Sequence, residues 1–142
     1  MPPAKLPASM TAIATVALLL SAIGCGASYE LETAKVRGRV TLDGKPLQSG
    51  YVMVLPVRGR MARGAIQEDG SFVLGSYDDD DGAQVGEHPV VVTPIPSDEG
   101  VSRPRTNQKI PRRYRRAGSS GLRVTVESGG LDDWLIELTS AK

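Results

Sequence analysis

Apolar and polar positions alternate without a break over Val36–Leu42: Val36, Gly38, Val40 and Leu42 share one face, and Arg37, Arg39 and Thr41 take the other. A period of two is that of a pleated strand with one side buried, and the "DGKP" stretch at residues 43–46 supplies the turn that ends it. After Gly50, "YVMVLPV" is apolar at both phases. It predicts a strand that is central or covered on its outer face, with Pro56 at its end or at a bulge. "GAIQEDGSFVL" predicts a hairpin in which residues 65–67 and 71–74 flank Glu68, Asp69 and Gly70. Gly70 takes the positive φ of the turn, and Phe72 and Leu74 face the core. Another strand is expected at residues 87–93. The last two runs, 122–127 and 134–138, are expected to pair across Ser128, Gly129 and Gly130 and to bury Trp134 against Val124 or Val126. About seven strands at this spacing predict an all-β chain folded as a Greek-key β-sandwich.

Composition supports that class. The chain is 40% hydrophobic but only 4% aromatic, so its core must be built from branched aliphatic side chains, which suit pleated sheets. Sixteen Gly and ten Pro in 142 residues call for many turns rather than a helix bundle. The first residues follow another pattern. Lys5 is the one charged side chain before Thr11, and "TAIATVALLLSAIG" then runs without charge to Gly24. That is the form of a signal-peptide apolar region, and it is shorter than the roughly 20 residues of a membrane-spanning helix.

The run ends at Cys25, the one cysteine of the chain. "AIGC" resembles the lipobox of bacterial lipoproteins, with Gly24 and Ile23 in place and Ala22 where Leu is usual. A lone thiol has no partner in an oxidising compartment, and a lipidated sulfur removes that difficulty. The expected division is therefore a signal peptide at 1–24, a lipidated Cys25 with its tether at 25–33, and the β-sandwich at 34–142. Cys25 attaches the chain to the membrane. Gly26, where an Asp would retain the protein at the inner membrane under the usual sorting rule, favours the outer one.

The motifs "VRGRVTLDGKPLQSGYVMVLP", "EDGSFVL", "DGAQVGEHPVVVTP" and "IPRRYRRAGSSGLRVTVESGGLDDWLIEL" together resemble bacterial lipoproteins with carboxypeptidase regulatory-like or transthyretin-like domains. The resemblance implies a seven-stranded transthyretin-like (prealbumin-like, Ig-like) sandwich and no defined activity. His88-Pro89 departs from it, standing where the family usually has Tyr and a further strand residue.

Candidate chemistry is sparse. His88 is the one histidine, and although Ser76 and Asp78 are near in sequence, no nucleophile motif surrounds them. The expectation is a chain that is not an enzyme and has no cofactor and no metal, since a zinc site lacks ligands. "YDDDDG" at residues 77–82 places Asp78, Asp79, Asp80 and Asp81 in one turn, but an EF-hand register would put Tyr77 at position 1 and His88 at position 12. The turn reads as solvated. "RPRTNQKIPRRYRR" at 103–116 carries Arg103, Arg105, Lys109, Arg112, Arg113, Arg115 and Arg116 with no acid, around Tyr114. Export excludes nucleic acid as its partner and leaves an anionic envelope polymer, lipid headgroups or an acidic protein. Arg112, Arg113, Tyr114, Arg115 and Arg116 are the candidate binding residues. The expected function is a lipid-anchored, extracytoplasmic binding or scaffold module of the cell envelope. The alternative is a carbohydrate-binding or peptidase-accessory domain, against which the shortage of aromatic residues counts.

Overall fold

The computed structural model of the chain describes Pro3 and residues 30–96, 99–100 and 107–141. The rest of the signal segment, Cys25, Arg103 and Arg105 lie outside the described residues. Those residues form ten strands: β1 (Thr33–Ala34), β2 (Val36–Leu42), β3 (Lys45–Pro46), β4 (Tyr51–Val54), β5 (Ala62–Ala65), β6 (Ser71–Val73), β7 (Ala83–Gln84), β8 (Gly86–Thr93), β9 (Leu122–Val126) and β10 (Leu131–Leu138). A 3-10 turn at Arg112–Arg115 and one helical turn, α1 (Ala117–Ser120), stand between β8 and β9. The class is all-β.

Two four-stranded sheets carry the fold. One has the order β5-β4-β8-β9, antiparallel throughout. In the other, β2 pairs with β10 in parallel on one edge and with β6 and β3 on its other edge. β1 and β7 form a separate two-stranded ribbon. A single buried cluster joins Val36, Val40, Phe72, Ile136 and Leu138 of the second sheet to Val52, Val54, Val90, Val92, Val124 and Val126 of the first. The alternation predicted for β2 holds, with Val36, Val40 and Leu42 buried and Arg37 and Arg39 exposed. The "DG" dipeptide closes the β2–β3 turn with positive φ at both Asp43 (52°) and Gly44 (78°), the requirement of a two-residue hairpin loop. The doubly apolar β4 lies between β5 and β8, as its pattern demanded.

Two expected pairings do not form. The turn before β6 closes as predicted, with Gly70 at φ 83° and the Gln67 amide donating to Ser71 O at 2.8 Å. Yet β5 pairs with β4 and β6 with β2, and between them only the Arg63–Gly75 bridge forms among the described residues. Ile66 is the reason: it is buried, and its amide donates to Gly50 O at 2.9 Å, so the chain turns the corner of the core before β6 begins. Likewise β9 and β10 do not pair with each other. β9 adds to β8, and β10 crosses to lie parallel to β2, steered by the Leu131 amide donating to Lys35 O at 2.8 Å. On opposite sheets both strands point their apolar residues into one core, which a flat hairpin at the end of one sheet would not achieve.

Trp134 is consequently half-buried, opposite Gly38, with its ring edge-to-face on Phe72 at 5.8 Å and 78°. Trp134→Ala is expected to cost about 2 kcal/mol, below the roughly 3–5 kcal/mol of a fully enclosed Trp. Denaturant unfolding followed by circular dichroism measures it.

The strand directions give the molecule two ends. The residues before β2, the loops at 55–61 and 76–82 and the turn at 127–130 gather where β2 begins. The turns at 43–44 and 66–70, the arginine segment and residues 139–141 gather where β2 finishes.

Candidate functional site

The arginine segment is built on two inward residues. Ile110 and Tyr114, four apart, are both buried in the core cluster, so the 3-10 turn between them must carry Arg112, Arg113 and Arg115 on its outer side. Ser120 is buried too, and its hydroxyl donates to Val90 O at 2.6 Å, which pins α1 to β8. Gly121, at φ 66°, then lets the chain leave α1 and enter β9.

Tyr114 therefore faces the interior rather than a ligand. Its hydroxyl accepts from the Thr139 amide and from Arg113 Nη2, each at 3.1 Å. Burial alone would push the phenol up, but these hydrogen bonds and the Arg113 charge outweigh it and hold Tyr114 below the usual tyrosine value. Arg113 lies over the Tyr114 ring at 4.7 Å and also donates to Thr139 O and to Thr139 Oγ1. Arg115 donates through Nε and Nη2 to Ile110 O, at 3.1 and 2.6 Å. These two guanidiniums are committed to the chain's own backbone.

Arg112 and Arg116 are not. Both are exposed, and neither guanidinium makes a hydrogen bond or ion pair among the described residues, although the Arg116 carbonyl accepts from the Ser119 and Ser120 amides. With Arg113, Arg115 and Ser119 they line an open cleft of about 520 Å³. Four guanidiniums thus stand around one concavity, two with side-chain donors free among the described residues and two bound to neighbouring atoms of the chain, and guanidinium is a donor that carboxylate or phosphate oxygens can accept from. Sequence reasoning missed two contributors, Ser119 and Thr139. Ser119 donates to Arg113 O at 2.8 Å and fixes the cleft's rim, while Thr139 orients Arg113. Nothing in their local sequence marks either role.

The other candidates are engaged elsewhere. His88 is buried with Nε2 at 2.9 Å from Gln84 O, and Ser76 donates to Gly82 O, so the two do not meet as base and nucleophile. In the acidic turn Asp81 accepts the Ser76 and Tyr77 amides at 2.6 and 3.0 Å, and Asp80 lies 3.7 Å from Lys35. No group of three or more His, Cys, Asp or Glu side chains converges on an ion-sized site among the described residues. Among the described residues, the tyrosines that a sugar might stack on are covered or inward, while Tyr29 lies outside them. Arg63 lies 3.7 Å over Tyr51 and Arg60 lies 5.7 Å over Tyr77. The Glu99 carboxylate takes the Tyr51 hydroxyl at 2.6 Å and, with burial, raises its pKa against the opposing effect of Arg63.

No family model, no curated protein and no solved structure matches this chain.

Proposed function

We propose that the chain is a lipid-anchored, non-catalytic binding module of the bacterial cell envelope whose ligand-bearing face is the arginine cleft. The observation that carries this reading is the pair of guanidiniums without a partner among the described residues, Arg112 and Arg116, held at one cleft by a turn whose other side is core. The seven longer strands are read as a Greek-key sandwich of the transthyretin-like type. Support comes from the two four-stranded sheets around one apolar cluster and from the crossing of β10 to run beside β2. Such a scaffold displays loops rigidly, and recognition tends to sit on them.

Anchoring rests on the sequence: an apolar run too short to span a bilayer, followed by a single cysteine in a lipobox-like context. Among the described residues no helix is long and apolar enough to cross a membrane. Two or more acyl chains on Cys25 give stable attachment, and Gly26 favours the outer membrane.

Cell fractionation tests both halves. Cys25→Ser is expected to lose lipidation and signal-peptide processing. The chain with Arg112→Gln and Arg116→Gln is expected to stay anchored but to co-purify with less anionic envelope material. Retention of the Cys25→Ser chain in the membrane with its processing unchanged contradicts the anchor, and unchanged co-purification of the arginine variant contradicts the cleft.

A further inference from the structure

The domain carries opposite charge at its two ends. Where the chain enters, the Leu31 amide donates to the Tyr77 hydroxyl before β1 pairs with β7. Around that entry the exposed acids Glu30 and Glu32 and the turn at 78–81 outnumber Lys35, Arg58 and Arg60. At the other end Lys45, Lys109 and the four cleft arginines stand against Asp43, Glu68 and Asp69, while Glu99 is matched by Arg63. The seven residues of β2, at about 3.3 Å each, set the two ends about 23 Å apart. The molecule is thus polarised along β2, negative at the tether and positive at the cleft.

A body polarised in this way and held by its negative end to an anionic surface tips over. The surface repels the entry end and attracts the cleft end, each basic residue brought to it favouring contact by on the order of fivefold. Upright, the cleft would stand about two Debye lengths above the lipid at 0.1 M salt and gain almost nothing. The tether permits the tilt. Cys25 to Leu31 can span up to about 22 Å, close to the separation of the two ends, so the cleft end can meet the surface over a wide range of tilts.

We infer that the arginine cleft docks on the anionic headgroups of the membrane that holds the lipid, so that acyl chains and arginines grip one bilayer at the two ends of the domain. This rests on the anchored-module reading above. The occupant is selected by position rather than by the shape of an oxyanion: a surface tethered within reach acts at an effective concentration of millimolar order, whereas a free polyanion must arrive by diffusion. Arg112 and Arg116 bring guanidinium donors that are free among the described residues, and Lys109 adds charge beside them. A basic patch joined to an acyl anchor is a two-signal attachment, stronger than the lipid alone.

The test uses the full lipidated chain in liposomes, labelled at one introduced thiol, since lipidation occupies Cys25. Gly118→Cys, in α1 beside the cleft, and Gly129→Cys, in the turn before β10, each have open space where the new side chain starts. Energy transfer from position 118 to a headgroup acceptor is expected to rise several-fold when phosphatidylcholine is exchanged for phosphatidylglycerol. From position 129, at the tether end, it is expected to change little. At 1 M salt, where the Debye length is about 3 Å, the rise is expected to vanish. Arg112→Gln with Arg116→Gln is expected to lose most of it, two charges at about fivefold each shifting the docking equilibrium about twenty-five-fold. Transfer from 118 that ignores phosphatidylglycerol, or that rises equally in the double variant, overturns the inference. If polyphosphate then still binds the anchored wild type more tightly than the double variant, the cleft stands and its occupant is not this membrane; if it does not, the cleft falls as well. Failure of the protein to float with the liposomes overturns the anchor and the inference with it.

Discussion

Gly82→Ala is expected to be among the most damaging single substitutions in the domain, costing roughly 3–5 kcal/mol of stability, a large part of what a domain of this size possesses. Gly82 sits at φ 90°, and a Cβ there would fall 1.8 Å from Ala34 O and 2.4 Å from Ala34 C. The left-handed φ alone costs about 1–2 kcal/mol for a side-chain-bearing residue. The larger part comes from the contact, which no rotamer change can relieve because the obstructing atoms are backbone. Ala34 is itself buried, and it pairs with Ala83 in the ribbon that fixes the entry of the chain. The β1–β7 ribbon must therefore move or break. Urea unfolding measures the loss, and a midpoint within error of the wild type would mean that the ribbon is not held against this loop.

Phe72→Ala is expected to cost about 3–5 kcal/mol through lost apolar transfer and an unfilled cavity. Phe72 is the one phenylalanine of the chain, is 2% exposed, and bridges the inner face of β6 to Trp134. Its ring also fills the space over Gly38, where a Cβ would come within 2.8 Å of Phe72 Cζ. With so few aromatic residues in the core, no neighbour of similar size can take its place. Because Trp134 loses its edge-to-face partner, its fluorescence in the folded variant is expected to shift to the red alongside the loss of stability. A loss below about 1 kcal/mol would mean that the site collapses around the missing ring.

The strands were legible in the sequence wherever burial imposes a period. Val36, Val40 and Leu42 mark β2, and Val124 and Val126 mark β9, because one face of each is wet and the other dry. Pairing was less legible. The Gly70 turn has the local chemistry of a hairpin, but the partner of β6 is decided by Ile66 entering the core and bending the chain toward the other sheet. The same holds for Ser128, Gly129 and Gly130, where a short turn joins strands of different sheets.

The candidate site was legible only as a concentration of positive charge. In the sequence Arg112, Arg113, Arg115 and Arg116 are equivalent, and Tyr114 looks like their companion. Tertiary contacts separate them: Thr139 and the Tyr114 hydroxyl occupy Arg113, and Ile110 O occupies Arg115. Tyr114 itself turns inward because Ile110, four residues earlier, does the same. Ile110 and Tyr114 are local partners and only Thr139 is remote, but which arginine reaches which of them depends on the geometry of the turn and not on the charge pattern.

That division is the central claim, and calorimetric titration of polyphosphate into the purified Cys25→Ser chain tests it most directly, since no lipid then masks the binding. The wild-type cleft is expected to bind at low salt and to weaken steeply as the Debye length contracts from about 10 Å at 0.1 M to about 3 Å at 1 M salt. Adding Arg112→Gln and Arg116→Gln is expected to lower the low-salt affinity about tenfold and to flatten the salt dependence, with the unfolding midpoint unchanged. Binding that is insensitive to salt, or equally tight after the two substitutions, would contradict it.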